Sequence, residues 1–314
     1  ARDGTMCRPG TTVGSCPARA PQSGKRGMAK SLRPTEQERA ERRRADRERL
    51  SHAAEQLLAH DGWTRWVLAR STLPGYSASN CMLLAAQCHE RGIVPRQVRG
   101  MHAWCKLGRR VRKGERALRI SAPVTITERD ADGLQTGRRV FFRTAYVFEL
   151  SQTEPLPGGE SGVAGSREGQ PLSGNSHARL LVPLRALAQS QGYAVTFTAI
   201  GGPSCGWCDT ERRLIAIDTR APANAQVRAL VHECVHALGI DYDRHPRARA
   251  EVIADTVAFV VCTGVGLSLD AESVPYLAGW GKDGALAAVT DFARTIDALA
   301  RRIEAVVLAP VVSD

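Results

Sequence analysis

Two histidines four residues apart, with a glutamate beside the first, stand in the stretch Ala229-Leu230-Val231-His232-Glu233-Cys234-Val235-His236-Ala237-Leu238-Gly239. A helix turns about 100° per residue, so His232 and His236 share a face and both imidazoles reach one metal ion about 2.0 to 2.1 Å away. Glu233 is then placed to take a proton from water that the metal acidifies. The chemistry implied is hydrolysis with Zn2+, and Glu233 is the candidate catalytic residue. Val227, Leu230, Val231, Cys234, Val235 and Leu238 follow the i, i+3, i+4, i+7 rhythm of one buried stripe. The histidine pair projects well away from that stripe. The bland alternative is two solvated histidines on an exposed helix face.

A tetrahedral site needs a third protein ligand. After Pro246, the run from Arg247 to Thr263 reads as an apolar helix closed by Gly264. Glu251 and Asp255 share one face of it, among Val252, Ile253, Val257, Phe259, Val260 and Val261. Buried carboxylates are costly unless paired or metal-bound. Glu251 as third ligand and Asp255 as acceptor for an imidazole N–H remove that cost. The alternative is a carboxylate at the solvent edge. A histidine three residues past Gly239 would extend the motif differently, but that position is Tyr242, and His245, Asp241 and Asp243 lack the spacing.

At 314 residues the chain can bury two cores. No run approaches the ~18 apolar residues of a membrane span, and the start has no apolar signal core. A soluble, cytoplasmic protein without a membrane partner is expected. Nine cysteines, scattered and odd in number, read as reduced thiols. Cys205-Gly-Trp-Cys208 has no second pair, so it reads as a turn rather than a zinc knuckle. Charge is unevenly placed: residues 1–155 hold 29 Lys and Arg against 15 Asp and Glu, whereas residues 156–314 hold 14 against 17. A cationic front half suggests a polyanionic partner.

The order of segments follows from composition. Residues 1–33, rich in Gly, Pro, Ser and basic residues, read as a disordered basic N-terminus, and 34–61 as a charged helix. Residues 62–154 form the first domain. In it Leu73 to Ser77 makes a turn, and Ser79 or Asn80 caps a helix through Cys88 that ends near Gly92. From Arg91 to Arg119 there are ten basic residues and one acidic, Glu115, on glycine-punctuated turns around Trp104. Arg99, Trp104, Lys106, Arg109, Arg110, Arg112, Lys113 and Arg116 are candidates for gripping a single strand by phosphate contacts and base stacking. Trp104 as ordinary core is the alternative. Leu118 to Ile126 and Val140 to Leu150 read as strands joined at Asp132-Gly133. Residues 155–176 read as a flexible linker and 177–314 as the second domain. There a helix near Leu180 to Gln191 precedes strands at Tyr193 to Phe197 and Leu214 to Ile217, where an edge strand beside the metal cleft would hold an extended peptide. The fold class is α+β, in two domains: one with a small antiparallel sheet, the other mostly helical.

With both halves read, the chain resembles ArdC-type antirestriction proteins. In front the resemblance lies in Tyr76-Ser77-Ala78-Ser79-Asn80, Gly100-Met101-His102-Ala103-Trp104, Leu107 through Glu115, Ser121-Ala122-Pro123 and Val147 through Thr153. Behind, it lies in His232 through His236, Glu251 through Asp255 and Tyr276-Leu277-Ala278-Gly279-Trp280. The resemblance implies an N-terminal domain that binds single-stranded DNA, to which Asn80 contributes, and a zincin-like zinc metallopeptidase domain. It implies protection of incoming mobile-element DNA from restriction, with the protein or peptide substrate left unknown. A non-catalytic DNA-coating protein with structural zinc, and a regulatory repressor-cleaving peptidase, are the alternatives. The arginine-rich residues 1–60 and the cysteines depart from the pattern.

Overall fold

The computed structural model describes residues 35–129, 134–157, 169–269, 274 and 285–308. The basic start at 1–33, the Asp132-Gly133 turn, residues 158–168 of the linker and the Tyr276 to Trp280 stretch lie outside the described residues. The architecture is α+β, and Arg42–Asp314 cohere as one compact unit.

Helix α1 (Glu36–Glu55) is polar, and its only buried residues are Ala53 and Ala54 near its end. Helix α2 (His60–Thr72) follows, where sequence patterning marks only Trp63, Trp66 and Leu68. Both indoles are buried with ring centroids 4.9 Å apart, and Trp66 donates its N–H to the Ala78 carbonyl at 3.3 Å. Gly62 lets α2 pass against the preceding turn, because a Cβ there would fall 1.7 Å from the Gln56 carbonyl oxygen. Helix α3 (Ala78–Glu90) is capped by Ser77, whose hydroxyl accepts the Asn80 N–H, and not by Ser79 or Asn80.

Strand β1 (Val98–Arg99), helix α4 (Met101–Lys106) and strand β2 (Arg109–Val111) lead into a long hairpin. Its arms, β3 (Leu118–Arg129) and β4 (Gln135–Glu149), pair antiparallel from Leu118↔Val147 outward. Strand β1 joins the other edge of β4, and β2 pairs with β5 (Thr153–Pro155).

Helix α5 (Leu181–Ser190) opens the rear half, followed by β6 (Ala194–Thr198), β7 (Gly206–Asp209) and β8 (Leu214–Asp218). The strand order is β6-β8-β7, with β6 parallel and β7 antiparallel to β8. This corrects the turn expected at Cys205-Gly-Trp-Cys208, where Gly206–Asp209 form a strand with Cys208 opposite Ile215. The reversal falls later, at 210–213, where Arg213 takes a positive φ of 51°.

Helices α6 (Ala223–Ala237), α7 (Arg247–Gly264) and α8 (Ala285–Val307) complete the fold. Val227, Leu230, Val231, Cys234 and Val235 of α6 are buried, as the sequence stripe requires, against a core that includes Ile253, Val257 and Val260 of α7. Helices α2 and α3 pack directly on the rear helices. The Trp63 ring lies 5.8 Å from Phe292, and the fully buried Arg70 reaches Asp297 and Glu304 on α8. No helix among the described residues is long and apolar enough to cross a membrane.

A candidate metal centre and a basic surface

Strand β8 delivers the chain to α6 through a tight corner. Asp218, at the strand end, accepts the N–H groups of Ile200 and Arg220 and the Arg220 guanidinium. These bonds, the Arg220 N–H first, hold its carboxyl below the usual range. Buried Asn224 fixes the first turn of α6, accepting from the His177 N–H at 2.9 Å and donating to the Pro171 carbonyl at 2.8 Å. Gly239 ends the helix with φ +106°, the left-handed turn that glycine supplies at a helix C-terminus. The chain folds back there, and the Ile240 carbonyl arrives 2.7 Å from His236 Nδ1.

His232 and His236 on α6 and Glu251 on α7 bring their ligand atoms within 4.8 Å of one another. The imidazole Nε2 atoms are 3.3 Å apart, and His232 Nε2 is 3.4 Å from Glu251 Oε2. Each ring spends its other nitrogen on an acceptor. His232 Nδ1 donates to Asp255 Oδ1 at 3.1 Å and His236 Nδ1 donates to the Ile240 carbonyl. Neutral rings held this way present two lone pairs to each other, which repel unless a cation or proton lies between them. Two ligands about 2.05 Å from a tetrahedral metal stand about 3.3 Å apart, so the donor set fits a divalent ion.

Glu233 is 7% exposed, and burial pushes its carboxyl up to about 7, with His232 opposing and Glu251 and Asp255 adding. For His232, burial disfavours the charged ring, but the Asp255 bond and the nearby carboxylates outweigh it and raise the pKa. Burial lowers that of His236, against the pull of the Ile240 carbonyl. Asp255 is lowered although burial opposes it, because it faces His232 and, at 3.3 Å, the Arg228 guanidinium.

Sequence reasoning passed over one neighbour. The Tyr242 hydroxyl donates to Glu251 Oε1, and its ring centroid is 5.4 Å from that of His236. Its position three residues beyond Gly239, set aside because it is not histidine, was the available signal. Edge strand β7 also borders the centre, since a Cβ on Gly206 would stand 3.3 Å from Glu233 Oε1.

The basic candidates divide into engaged and open groups. Trp104 is fully buried and donates its indole N–H to the Phe148 carbonyl at 2.9 Å, so its expected role as a stacking surface is corrected: it is core. Asn80 is 9% exposed and exchanges two 2.9 Å hydrogen bonds with the Ser121 backbone, which makes it a strand anchor rather than a phosphate contact. Arg109 is tied to Thr153, Arg110 to Glu154 and Arg112 to Glu115. Arg99 lies over the Trp104 ring at 5.9 Å. Lys106, Lys113 and Arg116 are exposed.

The fold and this cluster define an α+β protein with a candidate divalent-metal centre in its rear half. Residues 59–148 match the family model of the N-terminal domain of anti-restriction factor ArdC. Two crystal structures of the antirestriction protein ArdC from plasmid R388 are similar. The metal-free form is 17% identical, with 82% of this chain and 97% of that chain covered and a TM-score of 0.48. The Mn(II)-bound form is 19% identical, with 74% and 87% covered and a TM-score of 0.41. No curated protein sequence matches the chain.

Proposed function

We propose that the chain is a zinc-dependent peptidase joined to a single-stranded-DNA-binding domain, and that it acts in antirestriction on incoming mobile-element DNA. The ArdC-like front domain supports the antirestriction role. The observation that carries the peptidase reading is the pair of Nε2 atoms facing each other 3.3 Å apart beside the Glu251 carboxylate. His232, His236 and Glu251 would hold Zn2+, which when bound supplies Lewis acidity toward a carbonyl and makes water acidic.

The remaining work belongs to the chain. Glu233, buried beside the ligand His232, is placed to take a proton from water and return it to the leaving amine. Asp255 and the Ile240 carbonyl fix the tautomer and the aim of each ring, and Tyr242 steadies Glu251. Among the described residues strand β7 pairs with β8 along one side only, so its other edge is suited to an extended peptide. A front domain bound to DNA would bring the rear domain to proteins on the same strand, and proximity would select the substrate.

The test pairs the parent with Glu233→Gln. Cleavage of added or self substrate should vanish in the variant, while single-strand gel shifts over a salt series stay as in the parent. Retained cleavage contradicts the assignment of Glu233, and DNA protection that survives unchanged favours a coating protein. Absent or salt-insensitive gel shifts contradict the polyanion reading.

A further inference from the structure

A cavity of about 360 Å³ lies between α1, α3 and the base of the β3–β4 hairpin. Four of its lining residues are arginines, Arg49, Arg91, Arg116 and Arg119, against a single carboxylate, Glu90. Arg49 pairs with Asp46, whose carboxylate also accepts the Thr144 hydroxyl. Arg91 is pinned by hydrogen bonds to the carbonyls of Arg116 and Ala117 at 2.7 and 3.2 Å. Arg116 and Arg119 are exposed, and among the described residues neither guanidinium meets a carboxylate.

The rim is held rigidly. Gln87 accepts the Arg119 N–H at 2.9 Å and donates to the Arg119 carbonyl at 2.8 Å, and Asn80 grips Ser121 in the same two-handed way. Arg119 is also the cross-strand partner of Tyr146, so the two side chains stand together on one face of the hairpin. The Tyr146 side chain lines the cavity while 60% exposed. Two residues outward on the same face is Thr144, and two beyond that Phe142, 67% exposed. The guanidinium groups of Arg116 and Arg119 at the rim of a concavity, beside an open aromatic ring, match a phosphodiester and a planar base. An unstacked base of a single strand can enter such a hollow, whereas a duplex keeps its bases inside the stack.

The geometry points to this cavity as a nucleotide subsite: one base of a single DNA strand lies against Tyr146, and its flanking phosphates are held by Arg116 and Arg119 together with Arg49 and Arg91. The inference rests on the single-strand reading above and moves its centre from the α4–β2 turns to the hairpin base. Asn80 and Gln87 are then positioning residues for the strand that carries Arg119.

The experiment measures the binding of a fluorescein-labelled oligothymidylate to the full-length chain by anisotropy, across a salt series. Tyr146→Ala should weaken binding on the order of tenfold, while Tyr146→Phe stays close to the parent. Arg119→Ala should reduce the slope of log K against log salt by about 0.7, the share of one single-strand phosphate. Melting curves equal to the parent's establish that these exposed substitutions leave the fold intact, and thymidine monophosphate at equal nucleotide concentration should not displace the strand. If the parent binds but Tyr146→Ala and Arg119→Ala bind equally well, the subsite is overturned and the DNA reading stands. If the parent binds no strand, both are overturned. Displacement by the mononucleotide would assign the cavity to a free nucleotide and overturn the strand assignment.

Discussion

Replacing Arg70 by methionine tests how the front segment is fastened to the last helix. Arg70 is 0% exposed; its Nε reaches Asp297 Oδ1 at 2.5 Å, and its two terminal nitrogens reach Glu304 at 2.9 and 2.8 Å. Methionine fills much of the volume but leaves the carboxylates behind. Asp297 keeps the Ala78 N–H at 3.0 Å and the Arg301 Nε at 3.1 Å, whereas Glu304, 6% exposed, loses both of its contacts with Arg70. Stranding a buried partner of an ion pair costs about 3 to 5 kcal/mol. For a unit of this length about 1 kcal/mol lowers the melting temperature by about 2 °C, so a drop of roughly 6 to 10 °C is expected by calorimetry or circular dichroism. Arg70→Met with Glu304→Met removes both charges and should recover most of the loss, a coupling of at least ~2 kcal/mol in the double-mutant cycle. Melting of Arg70→Met within about 2 °C of the parent, or a double variant worse than the sum of the singles, would refute this reasoning.

Three further outcomes follow. Gly62→Ala forces a methyl onto the Gln56 carbonyl, 1.7 Å away, and should destabilise the protein by about 1 to 3 kcal/mol in urea unfolding. In chelator-treated protein, Glu233 keeps its proton up to about pH 7 when folded but releases it near 4.5 when unfolded. Stability therefore falls as pH rises through that window, and Glu233→Gln should be more stable than the parent above about pH 7, by about 3 kcal/mol at most, and equal to it below the window. Asp255→Asn leaves His232 without its anionic acceptor and should weaken cation affinity about 10- to 100-fold in a competition assay with a chromophoric chelator.

What the sequence revealed depended on periodicity. Helices α6 and α7 have apolar residues at strict helical spacing, so the buried stripe of α6, the extent of α7 and the shared face of Glu251 and Asp255 were legible. Helix α2 was not, because Arg65 and Arg70 interrupt its apolar pattern and the partners that make Arg70 acceptable inside, Asp297 and Glu304, lie far along the chain. Strand β7 hid because it is four residues long and opens on Gly206, too short for a legible alternation; its ladder with β8 makes it a strand. Trp104 looked like a stacking ring because its neighbours are basic, and only the Phe148 carbonyl, supplied by a distant strand, shows where its indole points. The cavity beside Tyr146 was invisible for the same reason: Arg49, Arg91 and Arg119 belong to three separate elements that tertiary packing brings together.

Calorimetric titration of the metal-stripped chain with Zn2+, beside Glu251→Gln and His232→Ala, addresses the central assignment directly. One equivalent should bind the parent tightly, with affinity falling by orders of magnitude in each variant while the melting curve of the metal-free protein is retained. A parent that takes up no cation, or a Glu251→Gln variant that binds as tightly as the parent, would contradict the assignment.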